Sequence, residues 1–392
     1  MNWLKRALRR INPAGGPADK QALFEERRER NLASSQRLIQ RNAVLNNSCD
    51  VICKAANEGA YITEFIHHHL LLGFQHLFIG VNNDSSGLTS RIVKRISRHY
   101  PNVHVLNTDR DHRRHGYLGS YCRLYETASR TTDSSHVLVI DVDEFWMSTI
   151  PRQTISEYLS QQKSFQILSF NWIILRGGNT FSRPLDTASA RASSSTEFKS
   201  LFRYDQIVVE VKDHAPLVQS NRRERMLHRS ADQTNLQARQ LKPWIKPRRS
   251  SPKTPSSSRA SAWILHRFIR SEREYAARLF QRKASSYSKP IPFKENRPGY
   301  RLGRDNPRIR AILTAMQPPE PGPETIPCLD AFISQCNLQG LIAEARQICD
   351  EQRIRQRISS LDPAVVNQHS AVWRRTFKGT RFLALLEERA RQ

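Results

Sequence analysis

The chain has 392 residues, 38% hydrophobic and 25% charged, enough apolar material for a sizeable core while much of the surface stays wet. Its 62 Lys and Arg against 36 Asp and Glu leave a formal net charge of +26, which favours an anionic partner such as nucleic acid, anionic lipid or a phosphorylated ligand. No apolar run approaches the ~20 residues of a membrane span. The six cysteines include no CxxC pair, which removes zinc-ribbon and thioredoxin-like readings and leaves reduced thiols, Cys49 and Cys53 among them in an expected buried strand.

In chain order, MNWLKRALRRI sets Trp3, Leu4, Ala7, Leu8 and Ile11 at helical spacing among Lys and Arg. Such a basic amphipathic helix can rest on an anionic membrane surface, or stay a solvated arm. With no secretory h-region or cleavage site, the expected location is cytoplasmic, with peripheral contact at the inner face of the membrane as an option open to this helix. Residues 18–42 read as a polar helix, so 1–45 is expected to form a basic N-terminal helical arm. CDVICKA then reads as a strand ending in NEG, followed by the helix AYITEFIHHHLLL. HLFIGV is a second strand, ending in NNDSSG; SRIVKRISRHY is a helix and NVHVLN a third strand. GYLGSYCRLYETASR is helical, HVLVIDV is a fourth strand, and TISEYLSQQ and FQILSFNWIIL continue the alternation.

Residues 176–196 read as a Gly/Ser/Arg-rich loop, and FKSLFRYDQIVVEVKDHAP as a half-buried strand or hairpin. The basic, Ser/Pro-rich 219–261 is expected to be disordered or a long loop. AWILHRFI and SEREYAARLFQRK restore a strand and a helix; QPPEPGPETIP is a proline linker. The last ~65 residues read as helical, with turns near Pro363 and Gly379. The expected divisions are the arm 1–45, a main α/β domain 46–305 and a helical region 306–392.

Apolar strands alternating with amphipathic helices predict a mainly parallel sheet covered on both faces. Ligands in such sheets bind beyond the carboxyl ends of the strands. Three polar clusters occupy those ends: Asn57-Glu58-Gly59, Asn82-Asn83-Asp84-Ser85 and Asp141-Val142-Asp143-Glu144. Two hard carboxylates spaced i, i+2 at the end of an apolar strand suit Mg²⁺ or Mn²⁺ together with substrate phosphates. They could equally cap a helix or pair with arginines. A phosphohydrolase of the haloacid-dehalogenase type also places D-x-D after an apolar strand, but normally on its first strand and followed by Thr or Val, where this chain has the fourth strand and Glu144.

The run ANEGAYITEFIHHHLLLGFQHLFIGVNNDSS, followed by VLVIDVDEF, resembles the glycosyltransferase family-2-like proteins near their family-92-like branch. The likeness covers residues ~50–146. It resumes at KSLFRYDQIVVEVKDHAP and LHRFIRSEREYAARLFQRK, similar to that family's K-x-h-h-R…H and H-Y-x-x-K-S-x-E-E-F-x-x-K. The resemblance implies a GT-A fold, a nucleotide-sugar-binding α/β sandwich. It implies that Asn57 and Glu58 contact the donor nucleoside and that Asn82 and Asp84 reach the base or ribose. Asp141 and Asp143 would be the DxD carboxylates that hold a divalent metal, with His266 as a third ligand or diphosphate contact, and Lys199 and Arg203 would be cations near the phosphates. Asn82 and Gly87 stand where the family has Asp, and Arg267 where it has Tyr, which puts the nucleotide preference in question.

The implied activity is a metal-dependent, inverting sugar transfer from a nucleotide-sugar to the hydroxyl of a glycan or lipid-linked acceptor, as in cell-surface polysaccharide or lipopolysaccharide synthesis. An inverting enzyme needs a base; Glu144, Asp186, Glu197 and Asp213 are all open, and Glu144 could instead be a supporting acid. The competing class is a nucleic-acid-binding protein, supported by the net charge and the Arg-rich 219–261, but the sequence shows no binding module or base-stacking motif. His67, His68 and His69 are consecutive on a helix and must point in different directions, against a three-His metal site. Trp172 reads as core or as a pocket border, and His214 as either site or structure.

Overall fold

The computed structural model describes residues 17–41, 46–177, 183, 185–187, 190–219, 226–241, 243–247, 259–281, 292–295, 297–322 and 326–392. The N-terminal segment 1–11, expected to be amphipathic, lies outside them. Among the described residues no helix is long and apolar enough to cross a membrane.

The architecture is mixed α/β. Strands β1 (Cys49–Ala55), β2 (Leu77–Val81), β3 (Val103–Asn107) and β4 (His136–Asp141) pair in parallel in the order β3-β2-β1-β4. Alternate residues feed opposite faces, as a pleated strand requires. Val51, Cys53, Leu138 and Ile140 join one core with α2 (Ile62–Leu71) and α3 (Leu88–His99). Ile52, Phe78, Val137 and Val139 join the other with Tyr121, Leu124 and Tyr125 of α5 (Tyr117–Thr131), which follows the short α4 (Asp109–His115).

Beyond β4 the strand directions are mixed. β7 (Arg191–Arg203) runs antiparallel to β4 and to β6 (Ile167–Arg176). β13 (Ala262–Ile269) is parallel to β6 and antiparallel to the edge strand β5 (Glu144–Ser148). The parallel order expected for the whole sheet therefore holds over its first four strands, and the sheet as a whole is mixed. β6 follows the capped helix α6 (Ile155–Ser160), where Thr154 and Glu157 make a reciprocal capping box. Residues 191–196, expected in a loop, belong to β7 because they pair with β6 out to Arg176.

The segment 219–261 is also more ordered than its composition suggests. β8 (Val208–Glu210), β9 (Leu217–Gln219), β11 (Ala238–Leu241) and β12 (Trp244–Pro247) form a second, antiparallel sheet, and β10 (His228–Ser230) adds to β6. Strand pairing and the burial of His228, hydrogen-bonded to the Ser169 hydroxyl at 2.8 Å, order a stretch with few apolar residues. Residues 220–225, 242 and 248–258 of it lie outside the described part.

Helix α1 (Pro17–Arg41) is docked on α5 and β8. Leu38 is buried in the core with Tyr125 and Val208, and polar groups add to the contact: the Arg27 guanidinium donates to Glu210 at 2.8 and 3.1 Å, and the Asn31 amide donates to the Val209 carbonyl. At the other end of the chain, α8 (Pro307–Ala315), α9 (Leu329–Gln335) and α10 (Gln339–Arg346) add Ile309, Leu313, Phe332 and Leu341 to the main core. Helices α11 (Glu351–Ser359), α12 (Pro363–Gln368), α13 (Ser370–Thr376) and α14 (Leu383–Arg391) build a further cluster around Trp373 and Phe377. That cluster packs on Tyr275 and Phe280 at the helix α7 (Glu272–Leu279) that follows β13, so the C-terminal region braces the element that completes the site.

Candidate active site

β4 ends at Asp141, and the chain turns through Val142 and Asp143 into β5 at Glu144. The two aspartates diverge, because only the first belongs to a strand. Lys199, brought in by β7, is almost completely buried and donates to Asp141 Oδ2 at 2.9 Å; its Nζ lies 3.1 Å from Glu144 Oε2. That Glu144 oxygen also accepts the Asp141 backbone N–H at 2.9 Å. Burial alone would lower the Lys199 ammonium; Asp141 and Glu144 beside it reverse this and hold it charged. Burial would raise Asp141, but Lys199 keeps it below the usual carboxylate range. Burial pushes Glu144 upward, with Lys199 opposing.

Asp143 faces a different set of groups. β13 pairs with β5, so its His266 lies opposite Glu144, and the Arg267 backbone N–H donates to the Asp143 carbonyl at 2.8 Å. His266 Nε2 is 3.8 Å from Asp143 Oδ1, and Arg270 and Arg278 approach Oδ2 at 3.5 and 3.3 Å. The same two arginines reach Glu58, at the end of β1, at 3.2 and 3.1 Å. Burial would raise Asp143, but the positive potential of His266, Arg270, Arg278 and Arg297 holds it well below the usual range. Burial pushes His266 down to about 4. Trp172 packs edge-on against His266, ring centroids 4.4 Å apart, with His214 beyond it at 5.5 Å. His214 Nδ1 is itself 2.8 Å from the Phe198 carbonyl.

Glu58, Asp141, Asp143, Glu144, Lys199 and His266 thus converge, whereas the other expected residues do not join them. Asn57 sits in the left-handed region at φ 56°, tolerated by Asn because its short amide bonds locally. Its amide donates to the Asn83 carbonyl, and its Oδ1 accepts from the Ser85 N–H and hydroxyl, all at 3.0 Å, so it locks the loop after β1 to the loop after β2. Asp84 accepts the Ser90 N–H at 2.8 Å in the first turn of α3. Asn82 is buried, its backbone N–H donating to the Ala55 carbonyl. Asn82 and Asp84 follow β2, two strands from β4, about 10 Å away laterally. Arg203 is at the wrong end of the sheet: β7 is antiparallel to β4, so Arg203 pairs with His136 at the start of β4 and bonds to Asp205. It lies four residues, roughly 13 Å of strand, from Lys199.

The acids expected to hold a divalent cation carry protein cations instead, Lys199 on Asp141 and two arginines on Asp143. Among the described residues no group of three or more His, Cys, Asp or Glu is arranged to hold a metal ion. The donor set in this arrangement, with its carboxylates already on lysine and arginine, does not fit one. The three consecutive histidines are core residues, one ring nitrogen of each 2.8–2.9 Å from a backbone carbonyl, of Pro327, Trp146 and Phe65 in turn.

No protein-family model matches the chain, and neither does any curated protein.

Sequence reasoning missed Arg270 and Arg278 as site residues, although the spacing of LHRFIRSEREYAARLFQRK carries the signal. Arg270 follows His266 by one strand-to-helix turn, and Arg278 closes α7 two turns later. It also missed Lys54, whose ammonium lies 5.2 and 4.9 Å from the ring centroids of Tyr117 and Tyr121 and is lowered by burial. Register pairing puts Lys54 opposite Asp141.

Proposed function

We propose that the protein is a glycosyltransferase of GT-A type that takes a sugar from a nucleotide-sugar. The observation that carries this is the meeting of Glu58 and the Asp141-Val142-Asp143-Glu144 group at the carboxyl ends of adjacent parallel strands β1 and β4, the edge at which open α/β sheets take nucleotides. The resemblance of residues ~50–146 and of the segment around His266 to family-2-like transferases supports the same reading.

In the proposed reaction an acceptor hydroxyl oxygen attacks the anomeric carbon with inversion, and the bond from that carbon to the diphosphate breaks. The electron pair stays on the phosphate oxygen, and a carboxylate of the acid group takes the hydroxyl proton. Glu144, with no exposed surface, is suited to anchoring Lys199 and the Asp141 backbone rather than to receiving that proton. Asp141, whose side chain is 42% exposed, is the more accessible acid. A glycan or lipid-linked acceptor at an anionic surface fits the positive net charge.

The test is nucleoside diphosphate release from a panel of UDP-, GDP-, dTDP-, CDP- and ADP-sugars, for wild type and Asp143→Ala. Release by the wild type that falls at least about a hundredfold in the variant is expected. If no panel member is bound or turned over, the transferase reading is wrong.

A further inference from the structure

The cations around Asp143 outnumber the acids that could pair them. Arg270 and Arg278 already share Glu58 and Asp143. Lys294 and Arg297 lie close enough to both arginines to be repelled by them. Among the described residues neither Lys294 nor Arg297 makes an ion pair with a carboxylate. Arg297 rests instead on the Phe268 ring, its guanidinium carbon 4.7 Å from the centroid, and Arg270 lies over Tyr61 at 3.6 Å. Arg270 is 3% exposed, yet its Nη1 has no hydrogen-bond partner, and neither has the Nε of Arg278.

Such an arrangement is costly in the free protein. Buried like charges repel, and a buried guanidinium N–H without an acceptor forfeits its hydration. Burial, followed by the neighbouring arginines, pushes the Lys294 ammonium down to about 7. The element that carries Arg278 and follows Arg270 is firm: α7 starts with a reciprocal capping box between Ser271 and Glu274, its Tyr275 is packed into the C-terminal helical cluster, and the Lys294 backbone N–H donates to its Leu279 carbonyl at 2.7 Å. A preformed surplus of donors beside the acids calls for an anionic ligand with several oxygens.

We propose that Arg270, Arg278, Lys294 and Arg297 form the receptor for the diphosphate of the donor nucleotide, so that side-chain cations, rather than a divalent metal, take up the leaving-group charge. This rests on the glycosyltransferase reading above. As the anomeric carbon–oxygen bond breaks, its electron pair stays with the diphosphate, which gains one negative charge. The planar guanidinium forks suit phosphate oxygens in pairs, and positioned cations stabilise a departing diphosphate as a metal does.

The experiment is calorimetric binding of UDP, GDP, dTDP, CDP and ADP to the full chain, first in EDTA and then with Mn²⁺, for wild type, Arg278→Met and Arg297→Met. At least one nucleoside diphosphate is expected to bind in EDTA, with Mn²⁺ changing its Kd by less than about threefold. Arg278→Met or Arg297→Met is expected to weaken binding about ten- to a hundredfold, the loss of a charge-assisted hydrogen-bonding group. Arg297 acts on Asp143 only at longer range and makes no ion pair among the described residues, so Arg297→Met should stay close to the wild-type melting temperature and remains informative if Arg278→Met unfolds. Binding that needs Mn²⁺ and is unchanged in Arg297→Met would overturn the inference while leaving the transferase reading intact. Absence of binding by every nucleoside diphosphate, with and without Mn²⁺, would overturn both.

Discussion

Lys199→Met is the sharpest test of how the acid group is held. The ammonium is 1% exposed and contacts Asp141 at 2.9 Å and Glu144 at 3.1 Å. At an effective dielectric of about 20, each contact is worth roughly 5 kcal/mol before desolvation. The Asp141 contact must be discounted, because that side chain is 42% exposed and water screens it. The Glu144 contact is fully buried, and its loss strands a carboxylate without a counter-charge, which costs about 3–5 kcal/mol. Against a typical domain stability of about 5–15 kcal/mol, that is measurable without abolishing the fold. Urea unfolding of wild type, Lys199→Met, Glu144→Gln and the double variant closes a thermodynamic cycle. The Gln carbonyl can still accept the Asp141 N–H, so the double variant should recover at least about half of the Lys199→Met loss. A Lys199→Met cost below about 1 kcal/mol, or no recovery in the double variant, would show that the buried ion pair does not hold this turn.

Asp50 is completely buried, accepts the hydroxyls of Ser134 at 2.6 Å and Tyr204 at 3.1 Å, and is raised by burial to about 7. Its folded pKa exceeds the unfolded value near 4, so the stability it contributes is full below that value and is lost as pH rises through about 7. Between about pH 5 and pH 8 wild type should lose about 2.5 kcal/mol from this group that Asp50→Asn keeps, read as a flatter stability–pH profile; parallel profiles would refute it. Gly379 has φ +82° and a backbone against the Tyr300 carbonyl oxygen, where a Cβ would collide. Gly379→Ala should therefore cost at least about 2 kcal/mol in thermal unfolding, and an unchanged melting temperature would contradict the packing described. Arg27→Met removes the bond from α1 to Glu210 and leaves that acid, 4% exposed, with Lys212 at 2.8 Å as its remaining cation. Limited proteolysis should then cut within α1 faster than in wild type.

Most of the alternation from Cys49 to Arg176 was legible because the strands are largely apolar and α3 and α5 each carry an apolar face, patterns that survive without tertiary information; the polar α4 and the edge strand β5 were missed. The strand direction beyond β4 was not. Nothing in FKSLFR distinguishes a parallel from an antiparallel neighbour, yet that choice puts Lys199 at the acid turn and Arg203 at the far end. The order in 226–247 was hidden for a different reason: those short strands are held by pairing with β6 and β9, and composition reports only what a segment can bury on its own.

The role of the acids was hidden in a third way. VLVIDVDEF shows two carboxylates and a glutamate, but not which positive charges face them, and that decides what they can do. Lys199 is more than fifty residues away and Arg278 more than a hundred and thirty. The turn at Val142–Asp143 sends one aspartate toward β7 and the other toward β13 and α7. As a result Asp141 and Glu144 share one buried lysine, while Asp143 and Glu58 share two arginines that still have donors to spare. The first set, with Lys54 also lying opposite Asp141, has as many cations as acids and is suited to holding the turn. The second, once Lys294 and Arg297 are added, carries surplus positive charge, and only there would an anionic ligand relieve a cost the free protein already bears. The two halves of one motif therefore make separable predictions: substitutions around Lys199 should register mainly in stability, and substitutions around Arg278 and Arg297 mainly in affinity for diphosphates.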